Sequence, residues 1–510
     1  MCAALPATAD AVRGATSGSK TVRVAGAVAA PRAGPARPTA GAASARPSSG
    51  NSPACQPAFA VPPHPWGVSR RSDARPTSVE SGLFETLDDE LANAHLETAS
   101  LGDHLAVYQL LSAVFHAPSR DAFFSSLEDP FYEPCDRLVI RRDSRLLGQI
   151  QLIARTMHFG RLACPLALLA GLSTFPEYRG HGFGRALLRA AERTLADEEV
   201  PLALLSTRIP QFFAPSGWAV CGRHSHGRAN TRSLLAQLSA RGISPGEGTL
   251  NIRPWRQVEL PALMRLYAAN TSTATGALER TEAYWRWLIG RQGFDQLYIA
   301  LEGPQRYSLD LVDAPIVGYV VTKDDRVLEL MAARGKPEVA EQLLARACHD
   351  AIERDCHCVQ LHAPPDDPLH ALFESAAGRL SQHEVHQGEV QMARIANPRA
   401  FLRFLGPELQ RRAIAAELDL PCELGLQVGA DKYQLSVSRR GVKITRSKLG
   451  RSYVRMSRAE FTRLALGHLD VAEAAAQDRV QVSTRLAMET GRVLFPRLPL
   501  WRSPWDDIYL

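Results

Sequence analysis

The order of the predicted secondary structure constrains the fold most, because the same order occurs twice along the chain. In the first stretch, residues 90–240, Asp103 can cap a helix with an apolar stripe, and strands follow it. The last of these strands is the apolar run Leu166–Leu172. A glycine-rich turn, a helix over Gly184–Glu198 and a buried strand at Leu202–Ser206 complete this order.

The second stretch, residues 249–395, repeats the order after a glycine-containing linker at Ala240–Gly248. Its main predicted elements are three strands, a helix and a final strand, at Leu297–Leu301, Pro315–Val321, Val327–Met331, Pro337–Arg354 and Cys358–His362. Strands interspersed with helices are typical of α/β (α+β) domains with mixed sheets. We therefore expect two divergent copies of one domain, although no residue-level repeat survives.

The last stretch, about residues 396–510, has a different pattern. Leu424–Val428 and Tyr433–Val437 flank a Gly-Ala-Asp-Lys turn and predict a hairpin, and two short strands follow. Ser457 and Glu460 then have the spacing of a capping box before an apolar-periodic helix. This stretch is predicted to be a small α+β domain.

Residues 1–80 differ from the rest of the chain in composition and in charge. They are rich in Ala, Pro, Ser, Gly and Arg, and they bury too little apolar surface to offset the entropy of ordering, so we expect disorder. They contain nine Lys/Arg and three Asp/Glu, which accounts for the whole net charge of +6. Because the remaining chain is neutral, it lacks the basic body expected of a nucleic-acid-binding protein. A transit peptide or a misplaced start codon are the alternatives for this segment.

Cysteine content and hydropathy suggest a cytoplasmic protein. Nine cysteines in 510 residues are too few for a disulfide scaffold, and free thiols suit a reducing compartment. No stretch approaches the roughly 20 uninterrupted apolar residues of a spanning helix, so we expect no membrane partner.

One group of residues has a composition that could suggest a metal site: His349, Cys356, His357, Cys358 and His362. Three of them are consecutive in a predicted buried strand, where neighbouring side chains point to opposite faces. We therefore expect no metal.

The strongest chemical signal is the segment Ser173–Leu188, in which Arg179-x-x-Gly182-x-Gly184 separates a buried strand from a helix. Glycines at such a turn let the backbone approach an oxyanion, and the free amides of the helix N-terminus point at it. With Arg179 and Arg185 the turn fits a pyrophosphate. A Rossmann site is disfavoured, because its fingerprint follows the first strand of the domain. A plain helix entry without a ligand is the structural alternative.

In these motifs the sequence resembles the GNAT acetyltransferases: a strand, Arg-Gly-His-Gly-Phe-Gly, a helix, a strand, and then Phe212-Phe-Ala-Pro-Ser-Gly-Trp218. Two such units followed by a sterol-carrier-protein-2-like domain resemble the enhanced intracellular survival (Eis) acetyltransferases over residues 90–510. The resemblance implies tandem GNAT-like mixed-sheet domains, the first catalytic (90–240) and the second degenerate (249–395). An SCP2-like α+β domain (396–510) would follow them.

The resemblance also implies which residues contact acetyl-CoA. Its pantetheine arm pairs with a splayed strand, at the positions of Leu172, Ser173 and Thr174. The positions that match the pyrophosphate loop are Arg179, Gly180, His181, Gly182, Phe183, Gly184 and Arg185. Arg208 and Ile209 occupy a further cofactor-contacting position. The second unit has Ala333–Glu338 at the place of this loop and lacks the two spaced glycines, so no cofactor is expected there.

The resemblance also bears on two catalytic groups, the general acid and the base. Family members use a tyrosine as general acid where this chain has Phe213, which has no proton to give. The base implied by the Eis resemblance is the terminal carboxylate, here that of Leu510, with Asp506 and Asp507 as acidic groups that could instead attract a cationic amine. A tail that only packs on a neighbouring domain is the alternative.

These observations lead to one functional expectation and two alternatives. We expect an acetyl-CoA-dependent N-acetyltransferase that acts on the primary amine of a small molecule or peptide by direct transfer from the thioester. The alternatives are a non-catalytic acetyl-CoA-binding scaffold, because of Phe213, and lipid binding by the C-terminal domain. No nucleic-acid partner is expected, and a homo-oligomer is compatible with the sequence.

Overall fold

The computed structural model describes residues 94–221, 225–243, 250–303, 315–382 and 389–507. The predicted disorder of residues 1–80 and part of the predicted linker lie outside these residues. All the described residues fall in one compact unit and form three sheets, each with parallel and antiparallel pairs. The expected class, α/β (α+β) with mixed sheets, is confirmed.

The strands of the described residues are numbered in chain order: β1 (Ala94–Thr98), β2 (Arg137–Arg142), β3 (Arg145–Phe159), β4 (Leu162–Thr174), β5 (Leu202–Thr207), β6 (Ala219–Val220), β7 (Ser225–Asn230), β8 (Leu250–Pro254), β9 (Thr275–Leu278), β10 (Gln296–Glu302), β11 (Ile316–Lys323), β12 (Arg326–Ala332), β13 (Cys358–His362), β14 (Arg379–Gln382), β15 (Val390–Arg394), β16 (Cys422–Val428), β17 (Asp431–Ser438), β18 (Gly441–Arg446), β19 (Tyr453–Met456) and β20 (Gln481–Val482).

The α-helices are numbered in the same way: α1 (His104–Phe115), α2 (Arg120–Leu127), α3 (Phe183–Asp197), α4 (Pro210–Phe213), α5 (Thr231–Ala240), α6 (Leu260–Thr271), α7 (Glu282–Gly290), α8 (Pro337–Glu353), α9 (His370–Ser375), α10 (Pro398–Ala415), α11 (Arg458–Ala465), α12 (Val471–Ala476) and α13 (Arg485–Leu494).

The first sheet has the strand order β1-β2-β3-β4-β5-β15-β6, and β9 also pairs with β3. Only β4 and β5 are parallel in it, and the connection between them is α3. The helix α3 packs on one face through a cluster that includes Phe183, Leu187 and Trp218. The opposite face carries α1 and α2, whose core residues include Leu110 and Phe123.

The second sheet, β14-β7-β13-β12-β11-β10-β8, repeats this arrangement. Its parallel pair is β12 and β13, and α8 connects them. The same connection, strand, turn, helix and parallel strand, therefore occurs in both sheets, as the repeated sequence pattern predicts.

Two strands pair within the sheet of the other unit rather than with their neighbours along the chain. β7, which precedes the predicted linker, pairs with β13 and β14 of the second sheet. β15, near the end of the second stretch, lies between β5 and β6 of the first sheet. No single cut in the sequence therefore separates the two sheets, and the domain boundaries given above stay predictions.

The C-terminal segment forms the third sheet, β18-β17-β16-β19-β20. The hairpin of β16 and β17 and the helix α11 occur where the sequence predicts them, and Ser457 Oγ accepts a hydrogen bond from the Glu460 amide at 3.1 Å. This domain packs on the end of β3, where the Phe159 and Phe401 rings meet edge to face with centroids 6.2 Å apart. Its likeness to sterol carriers stays a prediction.

Candidate functional site

The two parallel strands of the first sheet separate before they end. Residues Leu166–Leu169 of β4 pair with Leu202–Leu205 of β5, and no pairing between the two strands follows. β4 continues along β3 as far as Thr174, so its last residues keep one partner strand. Within the described ranges no strand pairs with their edge toward β5, which is therefore called the free edge. The segment Leu172–Thr174, which was predicted to contact pantetheine, is this free edge.

A β-bulge accompanies the separation. Gln149 pairs with Ser173 and Gln151 with Ala170, so Gly171 and Leu172 together oppose one residue of β3. Gly171 has a φ of 62°, in the region that favours glycine. A bulge bends its strand, and here the bend occurs where β4 leaves β5.

The predicted glycine turn lies directly after this edge. Gly180 and Gly182 have φ values of 88° and 83°, and a Cβ added to either would meet no atom within 4 Å. Gly182 is the N-cap of α3, and no side chain caps this helix. The first amides of α3 have no intrahelical acceptor, so they are free to bind an anion. The open glycines and free donors therefore fit a pyrophosphate.

The two arginines of the turn reinforce its positive character. Arg179 and Arg185 are exposed, and within the described part of the chain neither forms an ion pair. Phe183 at the start of α3 is buried, so the helix is fixed to the sheet while the turn before it stays accessible. Ser173 Oγ is buried and has no hydrogen-bond partner among the described residues.

Arg208 and Ile209 follow β5 and reach the same edge of the sheet, because β4 and β5 are parallel and their carboxyl ends lie on one side. Ile209 is 52% exposed, and its amide donates to Thr207 Oγ1 at 3.0 Å. Arg208 lies 3.5 Å from the Glu389 carboxylate. Burial raises the pKa of Glu389, the Asp507 charge acts in the same direction, and Arg208 opposes both.

The structure thus brings three of the predicted groups to one end of the first sheet: Leu172–Thr174, the turn Arg179–Arg185, and Arg208 with Ile209. Leu510 lies outside the described residues, so its role stays a prediction. Phe213 is buried, with its ring edge to face with those of Phe212, at 4.9 Å between centroids, and of Trp218, at 6.3 Å.

The C-terminal tail overturns the suggested role of Asp506. This residue is 1% exposed and forms two hydrogen bonds of 2.9 Å with Arg280, so it is unavailable to a substrate. Arg280 also binds Glu329 with two hydrogen bonds, of 2.9 and 2.7 Å. Burial raises the pKa of Asp506, and the Arg280 guanidinium opposes that shift. The described part of the tail packs on the second sheet, and this packing does not test the role of Leu510.

The ion pairs of Arg280 with Asp506 and Glu329 are called the tail anchor, and aromatic rings surround them. The Arg280 guanidinium lies 4.1 Å from the Tyr267 ring centroid, 4.9 Å from that of Trp285 and 5.2 Å from that of Trp505. Trp505 is buried in the core of the second unit. Ser503 Oγ donates to the Leu328 carbonyl at 3.3 Å, directly after the last residue of β12 that pairs with β13.

Sequence reasoning missed the polar residues on the face of the first sheet that α1 and α2 partly cover. Ser206 is exposed although Leu205 and Thr207 beside it are buried, and Gln391 opposes it on β15. Glu389 precedes β15 and was not singled out. The available signal was the occurrence of single polar residues in otherwise apolar strands, but their common location depends on β15 joining the first sheet.

The described residues contain no group of three or more His, Cys, Asp or Glu side chains arranged to hold a metal ion. Within the same ranges, no helix has the length and apolar character needed to cross a membrane.

The comparisons with known proteins agree with this geometry. Residues 95–221 match the acetyltransferase (GNAT) domain family. That segment is therefore a GNAT acetyltransferase domain, with the fold of an N-acyltransferase. No curated protein sequence matches the chain significantly.

Solved structures extend the likeness beyond the matched domain. A GCN5-related N-acetyltransferase from Anabaena variabilis is 18% identical, with a TM-score of 0.62, over 80% of this chain and 99% of its own. A probable N-acyltransferase from Enterococcus faecalis is 14% identical, with a TM-score of 0.63, over 80% and 98%. Eis1 from Mycobacterium abscessus is 14% identical, with a TM-score of 0.55, over 80% and 99%. At these identities the likeness is one of fold.

Proposed function

We propose that the protein is an acetyl-CoA-dependent N-acetyltransferase that acts on a primary amine. The observation that carries the proposal is the open turn at Gly180 and Gly182 within a GNAT domain. The turn lies beside a strand edge that has no partner strand among the described residues. The thioester supplies an activated acetyl group. The chain's own residues bind it, orient it and admit the amine.

Three groups would hold acetyl-CoA. The amides at the start of α3, together with Arg179 and Arg185, would bind the pyrophosphate, because they are unpaired donors at the positive end of a helix. The free edge at Leu172–Thr174 would pair with the amide groups of pantetheine. Arg208 and Ile209 would border the arm from the end of β5.

A local acidic group would attract the amine, since the chain outside residues 1–80 is neutral. Asp506 is excluded by its burial, and Glu389 is the better candidate. It is half-exposed and lies beside the end of β5, and Asp507 acts on it electrostatically. A carboxylate there would hold the ammonium form of an amine close to the thioester.

The reaction also needs a base for the amine and a proton for the departing thiolate. The amine must lose a proton before it attacks, and we propose the terminal carboxylate of Leu510 as the base, because the tail brings Asp507 into the electrostatic range of Glu389. The departing thiolate would take its proton from water, because Phe213 has none to give.

Calorimetric titration of acetyl-CoA tests the proposal. We expect one site per chain, and Gly182→Trp should abolish binding by filling the turn. Gly335→Trp is the matched control, because Gly335 has a φ of 80° and equally open surroundings, at the corresponding turn before α8. The proposal is wrong if the wild-type chain binds no acetyl-CoA or if Gly182→Trp binds it normally.

A second candidate function is acetyl-CoA binding without turnover, which the loss of the tyrosine hydroxyl at Phe213 favours. Thiol release with a panel of diamines, aminoglycosides and lysine peptides distinguishes the two. Binding without any release of thiol would support the scaffold.

A further inference from the structure

The first residue of β2 is a buried arginine, Arg137, whose two side-chain hydrogen bonds both go to uncharged groups. Arg137 is fully buried, and no acidic group forms an ion pair with it in the described residues. Its guanidinium lies 5.5 Å from the ring centroids of Phe123 and Tyr132. Burial lowers the pKa of this guanidinium, and Tyr132 and the neighbouring Asp136 carboxylate oppose that shift.

The hydrogen bonds of Arg137 lead toward the candidate site. Its Nε donates to Tyr132 Oη, and its Nη1 donates to Gln149 Oε1, both at 3.2 Å. A guanidinium is only a donor, so the Gln149 oxygen must face it and the amide nitrogen must face the other way. The charge therefore settles the orientation of an amide that could otherwise flip.

The oriented amide holds the bulge. Gln149 Nε2 donates to the carbonyl oxygen of Gly171, the bulge residue with positive φ. Gly171 comes directly before Leu172–Thr174, the free edge beside β5. The orientation of this one carbonyl therefore sets the path on which the free edge continues.

We propose that Arg137 and Gln149 are positioning residues for the pantetheine arm of acetyl-CoA. Arg137 orients the Gln149 amide, Gln149 holds the Gly171 carbonyl, and the held bulge presents the edge Leu172–Thr174 in the geometry that pairs with pantetheine. Neither residue touches the glycine turn. The inference rests on the proposed function and adds two residues to its machinery.

Two ligands separate this role from a general loss of structure. Coenzyme A is an adenosine diphosphate with a 3′-phosphate and a pantetheine arm, whereas ADP has the adenosine and the diphosphate but no arm. We expect Gln149→Met to raise the Kd of coenzyme A about tenfold, the worth of one hydrogen bond, and to leave the Kd of ADP within about twofold. Gln360→Met is the matched control, because Gln360 is a buried glutamine of β13 without a side-chain hydrogen bond in the described ranges.

The outcomes decide between the two roles. Unchanged affinity for coenzyme A in Gln149→Met, or an equal loss for both ligands, overturns the inference while the proposed function stands. Absence of coenzyme A binding in the wild-type chain overturns both.

A second variant tests whether Arg137 acts through Gln149. Arg137→Lys keeps the charge but loses the planar pair of donors, and it should weaken coenzyme A binding less than Gln149→Met does. Added to Gln149→Met, it should cost no further affinity, because the contact that it alters has already been removed. Additive losses would show that Arg137 acts by another route.

Discussion

Both units contain the same strand, turn, helix and parallel strand. In both, the two parallel strands separate before they end, but the surroundings of the gap between them differ. In the first unit β4 leaves β5 after Leu169, and its last residues keep a free edge beside an open glycine turn. In the second unit β12 leaves β13 after Val327, and the C-terminal tail packs directly beyond that point. One architecture thus leaves an open edge in one copy and contacts the C-terminal segment around Ser503 in the other.

The turns before α3 and α8 also differ in how well they could bind an anion. The first has two glycines with positive φ before a helix whose early amides are all present. The second has only Gly335, and its helix begins at Pro337, which has no amide hydrogen to donate. Lys336 forms an ion pair of 2.6 Å with Glu302, which offsets its positive charge. The second turn is therefore poorly suited to an anion.

The C-terminal tail packs on the second unit, but its terminal carboxylate is proposed to act in the site of the first unit. Removal of the last three residues tests this role. Deletion of Ile508–Leu510 should lower turnover about 10²–10⁴-fold, because the proposed base is lost, with acetyl-CoA affinity unchanged. Thiol-release kinetics and calorimetry measure the two effects. Ile508→Ala, which keeps the terminal carboxylate, is the control, and retained turnover in the deletion would contradict the role of Leu510.

Breaking the anchor should cost stability. Arg280→Met leaves Asp506 and Glu329 buried without their shared partner, and we expect a loss of about 3–5 kcal/mol in the free energy of unfolding. Guanidinium denaturation followed by tryptophan fluorescence measures it. The loss should shrink as the pH falls, because burial raises the pKa of Asp506 and protonation of this carboxylate removes part of the uncompensated charge.

The matched control for the anchor is Arg286→Met, which removes an exposed ion pair with Glu282. Such pairs contribute about 0–1 kcal/mol. Equal effects of the two arginine variants would mean that the tail is not anchored by Arg280.

The smallest effect is expected at the acidic group of the open site. Glu389→Gln should raise the KM of the amine about tenfold with little change in kcat, since one charge contact with the ammonium group is lost. In the wild type, KM should rise as the pH falls through the pKa of Glu389, which burial places above the ordinary 4.5. The variant should lack this dependence.

Glu177→Gln serves as the control for this measurement, because Glu177 is an exposed acid near the glycine turn, paired with Arg145 at 2.7 Å. A KM that changes equally in both variants would indicate a general effect of surface charge and would remove Glu389 from the proposed site.

The local elements were predictable because their signals are local. The buried run that became β4, the turn at Gly180 and Gly182, and the helix α3 follow from hydrophobic periodicity and from the conformational freedom of glycine. The separation of β4 from β5 was expected from the family resemblance. The bulge at Gly171 was not anticipated, because a single glycine in an apolar strand has several explanations.

Long-range partners were not predictable from pattern. Arg280 and Asp506 are 226 positions apart, yet they form a buried pair. Asp506 was one of two acidic groups that could instead attract a cationic amine, and its burial excludes that role. Glu389 gained importance only because β15 lies between β5 and β6, and no periodicity indicates which sheet a short strand joins.

The sequence by itself determined the class of the fold, the repeated order of elements and the position of the glycine turn, because these depend on residues that are neighbours along the chain. Only the tertiary structure decided which gap is open and which is filled, where the tail is anchored, and which buried polar groups hold the bulge. Those outcomes depend on contacts between distant segments, whose free energies arise from burial and pairing that no local pattern records.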